Sequence, residues 1–148
     1  MKRKLNLYSA GLLFLGFVFF STSCNDDDII ETAWNIENFT VEASQWSWNP
    51  ANRRWEAVRE LDYIDEFIYE KGSVIGYVFL GEQNKDEVQT QLPYIKSYIL
   101  DDGSKFTETI SYEYSYLTNK VKFYIEPSDG IQDAAARQRY DFRIAMIW

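Results

Sequence analysis

Thr109–Pro127, TISYEYSYLTNKVKFYIEP, alternates in side-chain character over its whole length. Ile110, Tyr112, Tyr114 and Tyr116 fall on one parity, and Thr109, Ser111, Glu113 and Ser115 on the other. Thr118-Asn119 interrupts the run, and Val121, Phe123 and Ile125 resume it before Pro127. A period of two puts one set on an apolar face and the other in water, so the stretch reads as two half-buried strands joined by a turn. Upstream, Asp101-Asp102-Gly103 is a hairpin signal. Before it, Gln91–Leu100 (QLPYIKSYIL) reads as a strand that Pro93 pushes toward an edge or a bulge. Downstream, Ser128-Asp129-Gly130 stops the chain, and residues 131–138 have the composition for one helical turn around Ala134–Ala136. Tyr140, Phe142, Ile144, Met146 and Trp148 then alternate to the last residue.

The N-terminal half gives weaker signals of the same kind. Trp34 and Ile36, then Phe39, Val41 and Ala43, alternate with one slip at Asn38, which predicts a bulge. Trp46 and Trp48 share a parity, and Asn49–Arg53 (NPANR) is a turn. Trp55 and Ala57 begin a return strand to about Leu61. Asp62–Gly72 (DYIDEFIYEKG) places Tyr63, Ile64, Phe67 and Ile68 at helical spacing, with Asp62 as N-cap and Gly72 at the C-terminal end. Ser73–Leu80 (SVIGYVFL) is apolar on both parities and reads as a central strand covered on both sides. Residues 82–91 read as a polar loop. Seven or eight strands, short turns and one short helix predict an all-β chain. Its fold class is a single antiparallel β-sandwich over residues 32–148, with a lipocalin-like closed barrel as the alternative.

Composition excludes several chemistries. The 148-residue chain carries a net charge of −8, and residues 1–23 hold three cations (Lys2, Arg3, Lys4) and no acid, so the remainder carries −11. Nucleic-acid binders present basic patches; this balance argues against nucleic acid as a partner. There is no histidine. Ser-His and Cys-His nucleophile pairs and imidazole zinc sites are therefore absent. The turns Asp101-Asp102-Gly103 and Ser128-Asp129-Gly130 lack the spacing of a calcium loop. No enzyme activity, metal or cofactor is expected.

The first 23 residues have the order of an export signal: a basic start, the apolar run Ala10–Phe20 (AGLLFLGFVFF), then Ser21, Thr22 and Ser23. That apolar run is about half of the roughly 20 residues a spanning helix needs. Cys24, the only cysteine, follows directly. The segment resembles a bacterial lipobox, with Ser21 where an apolar residue is commoner. The resemblance implies that Cys24 is lipidated and becomes the first residue of the mature chain, with the membrane as a partner through that lipid. Residues 24–31 then form an acidic tether. Asp26–Asp28 resembles the surface-export signal of Bacteroidota lipoproteins, which implies an outer-membrane, cell-surface location.

The order of GSVIGYVFL, QTQLPYI, the tyrosine-rich hairpin and the terminal DFRIAMIW resembles a family of small Bacteroidota surface lipoproteins, across roughly residues 30–148. That resemblance implies a β-sandwich on a lipid tether and no assigned activity. Within the domain, Trp46, Trp48 and Trp55 surround a loop carrying Arg53 and Arg54. Indoles can stack on the apolar faces of sugar rings, and guanidinium groups can bind hydroxyls or a carboxylate. The same indoles can instead pack across strands or fill the core. The tyrosine row Tyr112, Tyr114 and Tyr116 can likewise line a wet groove or form a buried face. Two function classes follow. One is an envelope or cell-surface binding or accessory module, for a glycan or an envelope protein, with a glycan on the tryptophan hairpin as the first choice of ligand. The other is a structural or protein-interaction subunit of an envelope complex.

Overall fold

The computed structural model describes residues 33–148. The export signal, Cys24 and the acidic tether lie outside the described residues. Among the described residues there are nine strands and one short α-helix. The strands are β1 (Trp34–Val41), β2 (Ser47–Asn49), β3 (Arg54–Glu60), β4 (Ser73–Leu80), β5 (Val88–Gln91), β6 (Tyr94–Ile99), β7 (Lys105–Ser115), β8 (Lys120–Pro127) and β9 (Tyr140–Ile147); α1 is Glu66–Lys71. They form two antiparallel sheets, ordered β1-β9-β4-β5 and β2-β3-β8-β7-β6. The architecture of the described residues is a β-sandwich, and no closed barrel forms among them.

The strongest sequence alternations become the two inner faces. Val121, Phe123 and Ile125 of β8 and Phe142, Ile144 and Met146 of β9 are all fully buried. Across the layers the Phe123 and Phe142 rings stack at 4.1 Å, nearly parallel. Side chains of this size contribute about 1.5–3 kcal/mol each on burial, so this central seam supplies a large part of the hydrophobic term. The turns follow their chemistry: Gly103 and Asn119 take positive φ at the β6–β7 and β7–β8 turns. The chain passes from the four-stranded to the five-stranded sheet at Leu92-Pro93, and β6 beyond it is an edge strand.

Four local readings are corrected. Asn38 makes no bulge: β1 pairs with β9 in unbroken register from Trp34↔Ile147 to Val41↔Tyr140. Phe39 and Val41 fix the inward phase, so Trp34 and Ile36 face outward and Glu37 points in. Glu37 is used there, accepting the backbone N–H groups of Asp62 and Tyr63 at 3.4 and 3.3 Å. The helix starts three residues later than the Asp62 cap implied. Asp65 is the N-cap, its carboxylate accepting from Ile68 N–H at 2.7 Å. Gly72 follows it at φ −91°, so left-handed backbone is not what requires glycine there. A Cβ would lie 2.6 Å from the Ile147 carbonyl oxygen, and the close approach of α1 to the end of β9 is the reason. β4 is interior to its sheet but covered on one side only, and β9 is its central neighbour. Finally, part of the expected 82–91 loop is a strand, since Val88–Gln91 pairs with β4.

Candidate functional site

The tryptophan hairpin is built as a structural unit first. Asn49 closes its loop by accepting the N–H groups of Ala51 and Asn52 at 3.0 and 3.2 Å. This sets Trp48 directly opposite Trp55, with ring centroids 5.3 Å apart in an edge-to-face arrangement. Trp55 is 4% exposed; its indole N–H donates to the Asp133 carbonyl at 2.9 Å, and Arg137 lies over its ring. Trp46 is 3% exposed, donates to the Gln138 carbonyl at 2.9 Å, and packs against Tyr140 and Phe142. Both indoles thus bind the β8–β9 connection to the core. The open platform of three tryptophans expected from the sequence does not form, because two of the three rings have no face toward solvent.

The two arginines of that expectation are also committed. Arg53 donates to the Gly130 and Asp129 carbonyls at 3.0 and 3.2 Å and clamps the hairpin loop to the turn after β8. Arg54 pairs with Glu56 at 2.6 Å and with Glu113 at 3.1 Å, and stacks over Tyr124. Burial alone pushes the Glu56 and Glu113 carboxyls up. For Glu56 the hydrogen bonds from Arg54, Asn49 and Asn52 outweigh it, and for Glu113 those from Lys122 and Arg54 with their charges do so. Both end below the usual carboxylate range.

Trp48 is the member of the set that stays partly exposed. It lines a cleft of about 480 Å³ with Gln45, Asn49, Glu56 and Arg59. A single 3₁₀ turn, Ala43–Gln45, delivers Gln45: its amide oxygen accepts from the Glu42 N–H at 2.8 Å and from the Arg59 guanidinium. Gln45 and Arg59 were not legible as site residues. They lie 14 positions apart and meet only because this turn folds the β1–β2 connection beside β3.

A second cleft, of about 350 Å³, lies on the outer face of the four-stranded sheet. Its floor is Phe79 of β4 and Arg143 of β9; Asn38 and Thr40 of β1 and Arg139 and Asp141 flank it, and Gln83 and Glu87 come from the β4–β5 loop. Arg143 Nε donates to the Asn38 amide oxygen at 3.0 Å and Nη1 to that of Gln89 at 2.8 Å, and the guanidinium sits 5.0 Å from the Phe79 ring centroid. Arg139, by contrast, is shared between Glu42 and Asp141, and Thr40 donates to the same aspartate at 2.6 Å.

The tyrosine row is not a wet groove. Tyr112 donates to the Val74 carbonyl at 2.8 Å, stacks with Tyr114, and fills the space that a side chain at Gly76 would need. Tyr69 of α1 closes over Tyr114 and Tyr116. Further along the same inner face, Glu108 is 5% exposed and accepts from the Tyr98 hydroxyl at 2.8 Å. Burial and the neighbouring Glu108 carboxylate push the Tyr98 pKa well up. Parity predicts an inward side chain at position 108, but a glutamate there reads as a turn-proximal surface residue. The acidic turns do ordinary turn work: Asp102 caps Ser104, and Asp129 accepts from Ile131 N–H.

Among the described residues, no three acidic, cysteine or histidine side chains converge to hold a metal, and no helix is long and apolar enough to cross a membrane. No family model, curated protein or solved structure matches the chain.

Proposed function

We propose that this protein is a lipid-anchored binding module of the bacterial envelope, exposed at the outer-membrane surface, with a glycan-binding cleft at Trp48. The observation that supports the ligand site is the partly exposed Trp48 ring. It is held rigid against Trp55 and surrounded by the hydrogen-bonding groups of Gln45, Asn49, Glu56 and Arg59. An indole face flanked by planar polar side chains suits a sugar, which presents apolar C–H faces and a rim of hydroxyls. The acidic balance of the chain does not oppose a neutral glycan. The anchor rests on the basic start, the apolar run and the position of Cys24 as the chain's only thiol.

Two tests separate these parts. Mass spectrometry of the mature N-terminus should find acyl chains on Cys24, and Cys24→Ala should release the protein from the membrane fraction. An unmodified Cys24, or cleavage elsewhere, contradicts the anchor. Titration of oligosaccharides followed by tryptophan fluorescence should shift the emission of the parent, and Trp48→Ala should abolish the shift with the circular dichroism spectrum unchanged. A broad oligosaccharide panel without any binder contradicts the cleft.

A second reading, a protein-interaction subunit, is favoured by a different surface. Trp34 is 68% exposed on the outer face of the four-stranded sheet, beside Ile36 and Ile147, and Tyr63 and Phe67 are exposed near the same end. Apolar groups gathered in this way are typical of a covered interface. A photoreactive side chain in place of Trp34 would then give one defined cross-linked adduct in cells. The glycan reading alone predicts none.

A further inference from the structure

We propose that the cleft over Phe79 is a separate binding site for a sugar acid, with Arg143 as the receptor for its carboxylate. Arg143 is held in place without being neutralised. Its Nε and Nη1 groups donate to two amide oxygens, of Asn38 and Gln89, which fix the plane of the guanidinium and supply no negative charge. No carboxylate of the described residues lies within ion-pair distance of it. Nη2 has no protein acceptor among the described residues and is not among the buried unpaired atoms, so it faces solvent.

The Phe79 ring beneath completes the support. A guanidinium positioned in this way is already ordered, so little rotamer entropy remains to be lost when an anion binds. The Arg54 guanidinium on the other sheet shows the contrast: two glutamates already occupy its donors.

The rest of the cleft identifies the other half of the ligand. Asp141 is nearest in kind to a competing anion, but Arg139 and Thr40 both donate to it. Glu87 and Gln83 enter from the β4–β5 loop, and Thr40 and Asn38 from β1. These groups accept from and donate to hydroxyls, whereas a simple carboxylate would meet Glu87 with nothing to donate. Phe79 offers an apolar face beside Arg143. A ligand that presents a carboxylate, several hydroxyls and an apolar ring face satisfies all of these at once, and a uronic acid residue is that ligand. The site does not depend on Trp48 or on the anchor, since none of its lining residues belongs to the tryptophan hairpin.

The test is a titration of the intact ¹⁵N-labelled protein with glucuronate, glucose and acetate at constant ionic strength. The arginine Nε–H and the Asn38 and Gln89 side-chain amide resonances are the reporters. Glucuronate should shift all three saturably. Glucose, which lacks the carboxylate, and acetate, which lacks the hydroxyls, should each bind more weakly by roughly tenfold or more. Arg143→Lys keeps the charge but not the fork and should weaken glucuronate by a similar factor. Arg143→Gln should abolish the saturable shift of the Asn38 and Gln89 amides with the dichroism spectrum unchanged. Equal binding of glucose, undiminished binding by Arg143→Lys, or no saturable shift with glucuronate would overturn the assignment.

Discussion

The outer faces of the two sheets are finished in different ways. On the five-stranded sheet, Arg54, Glu56, Glu113 and Lys122 from three adjacent strands satisfy one another, and Tyr124 lies under the arginine. The centre of that face is closed, its charges paired within the protein, while Val58, Ile95 and Ile99 stay exposed around it and the Trp48 cleft opens at its β2 edge. On the four-stranded sheet, Trp34, Ile36 and Ile147 are exposed at one end, and Arg143 is held by amides at the other. Those groups have support but no counterpart. A solvated face gains little by leaving donors and apolar rings unmatched, so the unfinished face, like the Trp48 cleft at the β2 edge of the other sheet, is where a ligand or partner has something to contribute.

The largest expected effect concerns the strand the unfinished face depends on. β9 is hydrogen-bonded to both β1 and β4, and it carries the fully buried Ile144 and Met146. Deleting Ile144–Trp148 removes two such side chains at about 1.5–3 kcal/mol each, together with ladder bonds on both sides. Against a typical total of about 5–15 kcal/mol, that should abolish cooperative unfolding in a urea titration. A truncated chain that still melts cooperatively near the parent would make β9 peripheral.

Next in size is a contrast between two indoles two residues apart. Trp46→Ala should cost about 3–5 kcal/mol, the range for emptying a large aromatic site in a core. Trp48→Ala should cost clearly less, because its ring is only partly buried. Denaturant midpoints measure both, and equal losses would place Trp48 in the core and remove the cleft.

Smaller effects follow from pH. Tyr98, Tyr112, Tyr114 and Tyr140 have pKa values raised by burial above the ordinary 10.0. Above pH 10 the unfolded chain loses these protons first, so stability is intact below that pH and falls as pH rises beyond it. Glu56 and Glu113 are shifted the other way from 4.5, so their contribution is present above that pH and is lost as pH falls below it. Melting temperatures across the pH range should decline at both ends. The smallest change is Glu113→Gln. Its own carboxylate is half exposed, so its pairs with Arg54 and Lys122 are worth about 1 kcal/mol or less, and the loss should shrink further in high salt.

How far the sequence could be read depended on whether burial and exposure call for different residues. In β7 and β8 they do: Thr, Ser, Glu and Lys alternate with Ile, Tyr, Val and Phe, and the faces were legible. Tryptophan suits a core and a sugar platform equally, so nothing local distinguished Trp46 from Trp48. Trp46, like Trp55, is drawn inside by a distant carbonyl, that of Gln138 for Trp46 and of Asp133 for Trp55, 92 and 78 positions away, and Trp48 has no such partner among the described residues. The Phe79 cleft was illegible for the same reason. Asn38, Gln89 and Arg143 come from β1, β5 and β9, and only sheet order brings them together. At β1, the apparent slip at Asn38 arose from giving Trp34 and Ile36 to the core, when this face leaves them outside.

The most direct test of the central claim is ¹⁹F NMR of the protein labelled with 5-fluorotryptophan, titrated with neutral β-1,4-linked glucan, xylan and mannan oligosaccharides. Five resonances are assigned by substitution, one for each of Trp34, Trp46, Trp48, Trp55 and Trp148. The account predicts that at least one oligosaccharide moves the Trp48 resonance saturably while those of Trp46 and Trp55 stay within the small shifts expected of buried neighbours. A titration that leaves Trp48 unmoved by every oligosaccharide, or that moves Trp46 and Trp55 as far as Trp48, would contradict it.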